Sequence, residues 1–438
     1  MRDFAVSEHA GVQAQLDRLG ALSLPKGRLG LEVIHRLLAR LGNPEDHLPP
    51  VLHVAGTNGK GSTCAFLTAI LEAAGLVVHS ATKPHLVRYN ERIRLAGRLI
   101  DDDALAALLA EVLDAGADLE PSFFEVTTAA TFLAYARVPA DACVIEVGLG
   151  GRFDATNVLM SPAACGIASL GIDHEHFLLV PEHGTPTEPL ARIAFEKAGI
   201  ARANAPLVTQ AYAPEASAEI EKAATRTGAL LAMRGVHWWA EVAGDALHYR
   251  DAQGELALPL PALAGAHQAD NAALAVAMLR HQTRLAIPEA ALAQGIRSAR
   301  WPARLQQLGP GPLTARLPGR RVLVDGGHNA DAAQAVARAL ADEAPVALVF
   351  GLMANRPLAP VLGPLAALAS EVHAVPLPGH ECHDPAEIAR FAAGQPAHTV
   401  EQALERIAAR PDGPQTVLIA GSLYLAGAAL RLNDEIPD

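Results

Sequence analysis

Residues 56 to 62 read Gly56-Thr57-Asn58-Gly59-Lys60-Gly61-Ser62. Glycines in such a run let backbone N–H groups approach anionic oxygens, a following helix N-terminus adds positive dipole, and Lys60 supplies a point charge. Ser62 is placed as a hydroxyl ligand for magnesium. Together these residues read as a cradle for nucleotide phosphates. The string departs from the strict GxxxxGK[ST] form because Gly61 separates Lys60 from Ser62. Glu146 stands just before Gly148-Leu149-Gly150-Gly151. A carboxylate there either holds magnesium, which prefers hard oxygen ligands, or faces water as a strand-end acid. Lys197 lies in the apolar helical stretch 193–200, whose neighbours argue against an ordinary surface lysine. Asp173-His174-Glu175-His176 and His380-Glu381-Cys382-His383 look superficially like zinc strings. Histidines two apart on a loop are more often unrelated to metal, and the second string reads as a surface loop.

The elements around these residues alternate. Residues 51–55 form an apolar run entering the glycine-rich loop, and 62–74 read as a helix closed by Gly75. Residues 76–81 are the next strand, Asp101-Asp102-Asp103 opens a helix with acids at its N-terminal dipole, 124–136 is an apolar helix, and 142–147 and 163–169 are strands. Strand and helix in alternation predict an α/β fold with a parallel sheet covered on both faces. Residues 229–260, with Trp238-Trp239 and Gly254, predict a short antiparallel patch. A helix follows, carrying Asn271, Leu274, Ala275 and Met278 on one face. Trp301-Pro302 suggests a linker. Strands at 322–325, 346–350, 371–375 and 416–419 then predict a smaller doubly wound α/β domain. The expected domains are 1–297 and 298–438.

The 438 residues are 50% hydrophobic and 19% charged, which describes a packed globular chain long enough for two cores. A formal net charge of −12 gives no general attraction for nucleic acid or anionic membrane, so neither is an expected partner. The four cysteines are scattered without a CxxC pair, which fits a reduced, cytoplasmic setting. No signal core and no apolar run of membrane-spanning length is evident.

Taken together, the strings resemble one family. Residues 53–62, Pro84-His85-Leu86-Val87-Arg88-Tyr89-Asn90-Glu91-Arg92, Phe123-Phe124-Glu125 and 146–157 are similar to motifs of the folylpolyglutamate synthases and bifunctional dihydrofolate synthases of the Mur ligase superfamily. The likeness continues through Asp173-His174, 196–200, His267-Gln268 with Asn271, Arg304, and Asp325-Gly326-Gly327-His328-Asn329, in order across nearly the whole chain. The resemblance implies a three-layer N-terminal ATPase domain and a smaller C-terminal domain, with the active site between them. It implies ATP and Mg2+ as cofactors, and dihydropteroate, folate and L-glutamate as substrates, in a monomer. The implied reaction phosphorylates a substrate carboxylate with ATP. The amine of glutamate then displaces phosphate from the acyl phosphate, and catalysis is mostly positioning and charge neutralisation.

Site roles follow from the same likeness. Lys60, Glu146, His174 and Lys197 are the implied catalytic residues. Residues Gly56 to Ser62 with Asn271, Arg304, Asp325 and His328 would hold ATP, and Ser62, Glu146, His174 and a carbamylated Lys197 would hold metal. Carbamylation needs a neutral amine, so the site must overcome lysine's usual pKa of about 10.4. Asn271 can donate and accept at the adenine edge, or else cap its helix. As isolated residues, Arg304 would be a solvated charge and Asp325 a helix cap. Phe123, Phe124, Glu125, Phe153, Asp154 and Ala155 form the expected folate pocket, with core phenylalanine and loop aspartate as alternatives. Pro25 to Gly30 resembles the family's pteroate loop only loosely. One position departs: Lys83 stands where the family has a metal-binding serine. Thr82 or water takes that ligand's place, or the ammonium neutralises phosphate directly. Residues 179–186 form a longer segment than the family usually has. Other readings are one of the two folate activities alone, a Mur-type ligase for another acceptor, or a nucleotide-binding regulator without ligase chemistry.

Overall fold

The computed structural model describes residues 6–22 and 30–438. Most of the loosely matched pteroate loop therefore lies outside the described residues. The chain divides into two compact units. The first comprises residues 1–85, 89–262 and 268–300, and the second 86–88, 263–267 and 301–438.

Unit 1 is built on an eight-stranded sheet. Its six parallel strands run, in spatial order, Val78–Ala81, Ala142–Glu146, Val51–Ala55, Ala164–Ile167, Pro206–Thr209 and Leu230–Met233. The antiparallel pair Arg94–Leu95 and Arg98–Leu99 extends one edge. The strand Val51–Ala55 is buried throughout, as a parallel strand covered on both faces must be. Val51, Cys143 and Ile145 join a core with the helices Glu32–Arg40, Asp102–Ala115 and Phe123–Arg137. Ala55, Ile167 and Leu207 join another with Pro189–Ala198 and Pro214–Thr227. Lys60–Ala73 and Glu289–Ser298 pack together, and Met278 of the helix His267–His281 reaches the Gly166 backbone. The result is the expected three-layer arrangement.

The predicted antiparallel patch is present as Trp238–Ala243, Ala246–Asp251 and Gly254–Pro259, with Trp238 opposite Asp251. Its first residues behave differently. Leu230–Met233 follows the helix Pro214–Thr227 and the left-handed Gly228, so it completes a crossover and joins the parallel sheet.

Unit 2 has a six-stranded sheet ordered Gln306–Gln307, Arg321–Val324, Thr416–Ala420, Val346–Phe350, Ala369–Ala374 and Gln395–Pro396, antiparallel only at its first pair. Helices Ala330–Ala339 and Leu358–Ala366 cover one face through Val336, Val361 and Leu362. Val400–Ala408 and Leu423–Leu432 cover the other through Leu404, Ile407 and Leu425. The segment 86–88 is part of this unit, and the Arg431 guanidinium donates to the Val87 carbonyl at 2.9 Å. Among the described residues no helix is long and apolar enough to cross a membrane.

The helix that begins at the phosphate loop is fixed from behind. A Cβ on Gly295 would lie 2.5 Å from the backbone of Ile70. Gly295→Val should therefore destabilise unit 1 by about 2 kcal/mol through overpacking, read as a lower urea midpoint at an unchanged slope.

Candidate active site

Five of the expected residues meet at one cleft. Gly56, Thr57, Lys60, His174 and Lys197 line it with Val147, Gly148, Leu149, Gly150 and Asp173, around an empty volume of about 280 Å³. Their convergence follows from topology. The loops leaving Val51–Ala55, Ala142–Glu146 and Ala164–Ile167 emerge side by side at the carboxyl edge of a parallel sheet.

The phosphate loop is held by its own backbone and by the next loop. Thr57 N–H donates to the Ser169 carbonyl at 2.7 Å, and Thr57 Oγ1 donates to the Gly171 carbonyl at 2.9 Å. Lys60 Nζ folds back to the carbonyls of Gly56 and Thr57 at 3.0 and 3.1 Å. Gly59, at φ 83°, leaves no space for a side chain, because a Cβ there would lie 2.3 Å from Asn271 Oδ1. Asn271 thus sits directly against the loop, and its Nδ2 donates to Gln268 Oε1 at 3.0 Å. It lies in the second turn of its helix, so it is not the cap.

Lys197 is buried, contrary to the usual fate of lysine, and donates to the Gly56 carbonyl at 2.9 Å. Burial, reinforced by the Lys60 charge, pushes its pKa down to about 7 against the pull of Asp173, Asp154 and Glu196. An amine in that state supplies the neutral nucleophile that carbamylation needs. His174 takes a left-handed backbone, φ 54°, at the start of the short helix Glu175–Leu178, and its N–H donates to Asp173 Oδ1 at 2.6 Å.

Ser62 and Glu146 are buried hard-oxygen donors, 2% and 3% exposed. Among the described residues no three His, Cys, Asp or Glu side chains are grouped to hold a metal ion. That donor set fits magnesium, which needs one or two protein oxygens and takes the rest from water and phosphate. Lys197 fits as a ligand only as a carbamate.

The expected folate residues divide. Phe123 and Phe124 meet edge to face at 5.4 Å, and the Arg92 guanidinium lies over Tyr89 and Phe123 at 5.1 and 5.5 Å. Glu125 also has a local task. Its carboxylate accepts from Ser122 N–H at 2.7 Å and closes a capping box at the start of Phe123–Arg137. Phe153 lies under the Arg152 guanidinium at 4.1 Å, and Ala155 is buried. Asp154 shapes the glycine loop: Oδ2 accepts from Leu149 N–H at 2.8 Å, and Oδ1 from Thr156 N–H at 3.0 Å and Thr156 Oγ1 at 2.6 Å.

Two features escaped the sequence reading. The long segment 179–186 is pinned through Glu182. That carboxylate pairs with Arg152 at 2.6 Å, and Arg152 in turn pairs with Glu196 at 2.8 Å, beside Lys197. Arg192 joins the same network through Glu196 at 3.0 Å and through Thr185. The second feature is His53, 1% exposed, whose Nε2 meets Thr156 Oγ1 at 2.8 Å. Because that hydroxyl gives its proton to Asp154, His53 must donate.

In unit 2, Asp325 is buried and accepts from Leu305 N–H at 2.9 Å and Gly327 N–H at 2.7 Å. Burial raises its pKa, and Arg304 opposes the rise. Arg304 lies between Ala303 and Leu305, both left-handed at φ 56° and 45°. Two such non-glycine residues around one arginine mark a backbone constrained to present it. His328 Nδ1 meets the Gly326 carbonyl at 3.0 Å, and the helix cap is Asn329, not Asp325. His380 stacks on Tyr424 at 3.7 Å, and His383 Nε2 donates to the Arg356 carbonyl at 2.8 Å.

Known proteins share this architecture. Residues 313–423 match the family model for the Mur ligase, glutamate ligase domain. A dihydrofolate synthase/folylpolyglutamate synthase of Escherichia coli is 34% identical over 411 residues, covering 93% of this chain and 92% of the relative. The structure of E. coli FolC in complex with DHPP and ADP superposes with a TM-score of 0.85 at 32% identity, over 97% of each chain. A Yersinia pestis bifunctional folylpolyglutamate synthase/dihydrofolate synthase complexed with AMPPNP and Mn ion gives 0.82 at 29% identity, over 96% of this chain and 97% of that one.

The burial of His53 has a measurable consequence. Desolvation holds its folded pKa at about 3, against 6.5 for the free side chain. The unfolded chain therefore binds a proton that the folded one refuses, and stability falls as pH drops below about 6.5. By pH 5 this one residue should cost about 2 kcal/mol. Denaturation curves at pH 7 and pH 5 should show that loss, and His53→Gln, which keeps a donor for Thr156, should remove it.

Proposed function

The chain belongs to the dihydrofolate synthase/folylpolyglutamate synthase family of Mur-type ligases, and from that premise we propose that it joins L-glutamate to dihydropteroate and to the γ-carboxylate of tetrahydrofolate, using ATP. The observation that carries the reading is the cleft of unit 1, where the phosphate loop, Lys60, Lys197 and His174 converge. Loop amides and Lys60 hold the nucleotide phosphates, and Asn271, against the loop, contacts the adenine end. Ser62, Glu146, His174 and a carbamylated Lys197 hold magnesium, which when bound neutralises phosphate charge and polarises the transferring phosphoryl group. By the same family likeness, Arg304, Asp325 and His328 are nucleotide-binding residues.

In the first step a substrate carboxylate oxygen attacks the γ-phosphorus and ADP leaves. In the second, the neutral amine of glutamate attacks the acyl carbon, phosphate departs, and the amine's surplus proton is released. The chain's part is to align the reacting atoms and to place positive groups where negative charge collects. Phe124 offers a ring face to the pterin, with Phe123, Phe153 and Ala155 around it.

Phosphate release should require ATP, glutamate and either dihydropteroate or tetrahydrofolate. Turnover with a cell-wall precursor and none with either folate substrate would overturn the assignment, and activity with only one folate would narrow it to that reaction. Lys197→Ala should bind ATP nearly as the wild type but turn over at least about a hundredfold more slowly, the scale of losing one preorganised electrostatic group. In bicarbonate-13C the wild type should show a carbamate carbon signal that the variant lacks. An Ala variant of normal rate would remove Lys197 from the mechanism.

A further inference from the structure

Lys83 is a cation of unit 1's site region to which the reading above gives no task. Its backbone N–H donates to Glu146 Oε2 at 3.0 Å, which fixes the residue at the end of the strand that carries the candidate metal carboxylate. Its side chain runs the other way. Nζ lies 3.4 Å from Thr128 Oγ1, a long hydrogen bond and its only one among the described residues. Thr128 stands one turn after Phe124 on the helix Phe123–Arg137, so the two share a face. The Lys83 side chain also flanks Gly148 on the cleft wall: a Cβ on that glycine would lie 3.2 Å from Asp154 Oδ2 and 3.8 Å from Lys83 Nζ.

An ammonium has three donors, and this one leaves two unspent. Neither nearby carboxylate takes them. Asp154 is engaged with Leu149 and Thr156, and Glu146 receives the Lys83 backbone instead. The ligand that stabilises such a group most is an anion brought directly to it. The anion's identity follows from position. Phosphates are served by the loop and Lys60, whereas Lys83 joins the Glu146 strand end to the aromatic side marked by Phe124. A flat aromatic acid lying there would place its carboxylate at this point.

We propose that the Lys83 ammonium binds the reacting carboxylate of the aromatic acceptor substrate and holds it for attack on the γ-phosphorus. The residue is a substrate-binding and specificity-determining group. The inference rests on the folate reading above. It replaces the alternatives in which Lys83 displaces a metal ligand or serves phosphate.

The test compares pteroic acid with its carboxamide in equilibrium binding, in the presence of AMPPNP, for the full chain. Wild type should prefer the acid by about thirtyfold, the worth of one charge-assisted hydrogen bond. Lys83→Met should lose that preference while keeping the carboxamide affinity, the AMPPNP affinity and the melting temperature. Lys83→Arg should recover part of the preference. If Lys83→Met binds the acid with undiminished preference, the proposal fails while the folate reading stands. If the wild type binds neither compound, the folate reading fails and this proposal with it. A Lys83→Met protein too unstable to assay leaves the question to Lys83→Arg and Lys83→Gln. Equal preference in those two would overturn the proposal, and retention only in the arginine variant would support it. A gain of one bound Mn2+ per chain in Lys83→Ser by electron paramagnetic resonance, with the acid preference intact, would show that the lysine replaces a metal and would overturn it.

Discussion

The Lys197 amine donates to the carbonyl of Gly56, and both groups are far from bulk water. That bond joins the helix Pro189–Ala198 to the turn after the first strand, across 141 residues of sequence. A buried amine needs a partner, and the partner available is a main-chain oxygen whose position is set by the loop. Lys60 donates to the same oxygen. The shape of the phosphate loop and the location of two cations are therefore one constraint. The glycine loop after Glu146 is tied to it as well, because Arg152 N–H donates to the Glu196 carbonyl at 2.8 Å, one residue before Lys197.

Burial behind the phosphate cradle, with the Lys60 charge beside it, lowers the affinity of Lys197 for its proton. The acids around them are mostly committed elsewhere, to backbone amides and to Arg152. The cradle thus holds positive charge that its own carboxylates do not fully neutralise, which suits an acidic chain that must take up anionic ligands. Carbamylation would reverse the sign at Lys197 and turn a repelled cation into an anion beside Lys60.

The layers were legible from continuous apolar runs such as 51–55 and 142–147, because parallel strands covered on both faces leave no polar alternation to misread. The phosphate loop was legible because strand, glycines, lysine and helix are contiguous. The sheet that Leu230–Met233 joins is not legible, because its composition suits either, and only the crossover from the preceding helix decides. Glu125 carried a readable signal, Ser122 three residues before it in a capping box, which the family string obscured. His53 gave none: its partner Thr156 is 103 residues away. The left-handed residues around Arg304 are alanine and leucine, types that do not announce such a backbone. The role of the segment 179–186 depends on Arg152, which sequence distance hides.

Unit 2 takes residues from three parts of the chain, and the bond between Arg431 and Val87 spans 344 residues. On a ribosome moving at about 10 residues per second, residues 86–88 wait for roughly half a minute before the helix that receives them exists. By the end of that interval unit 1 has been synthesised and is able to collapse. The nascent protein must therefore keep three residues out of its earliest compact state, in a conformation that a later domain can still accept. Folding of this chain is for that reason not a sequence of two independent events. Any rearrangement of its gene order, by permutation or by expressing the halves apart, changes when that small segment meets its partner.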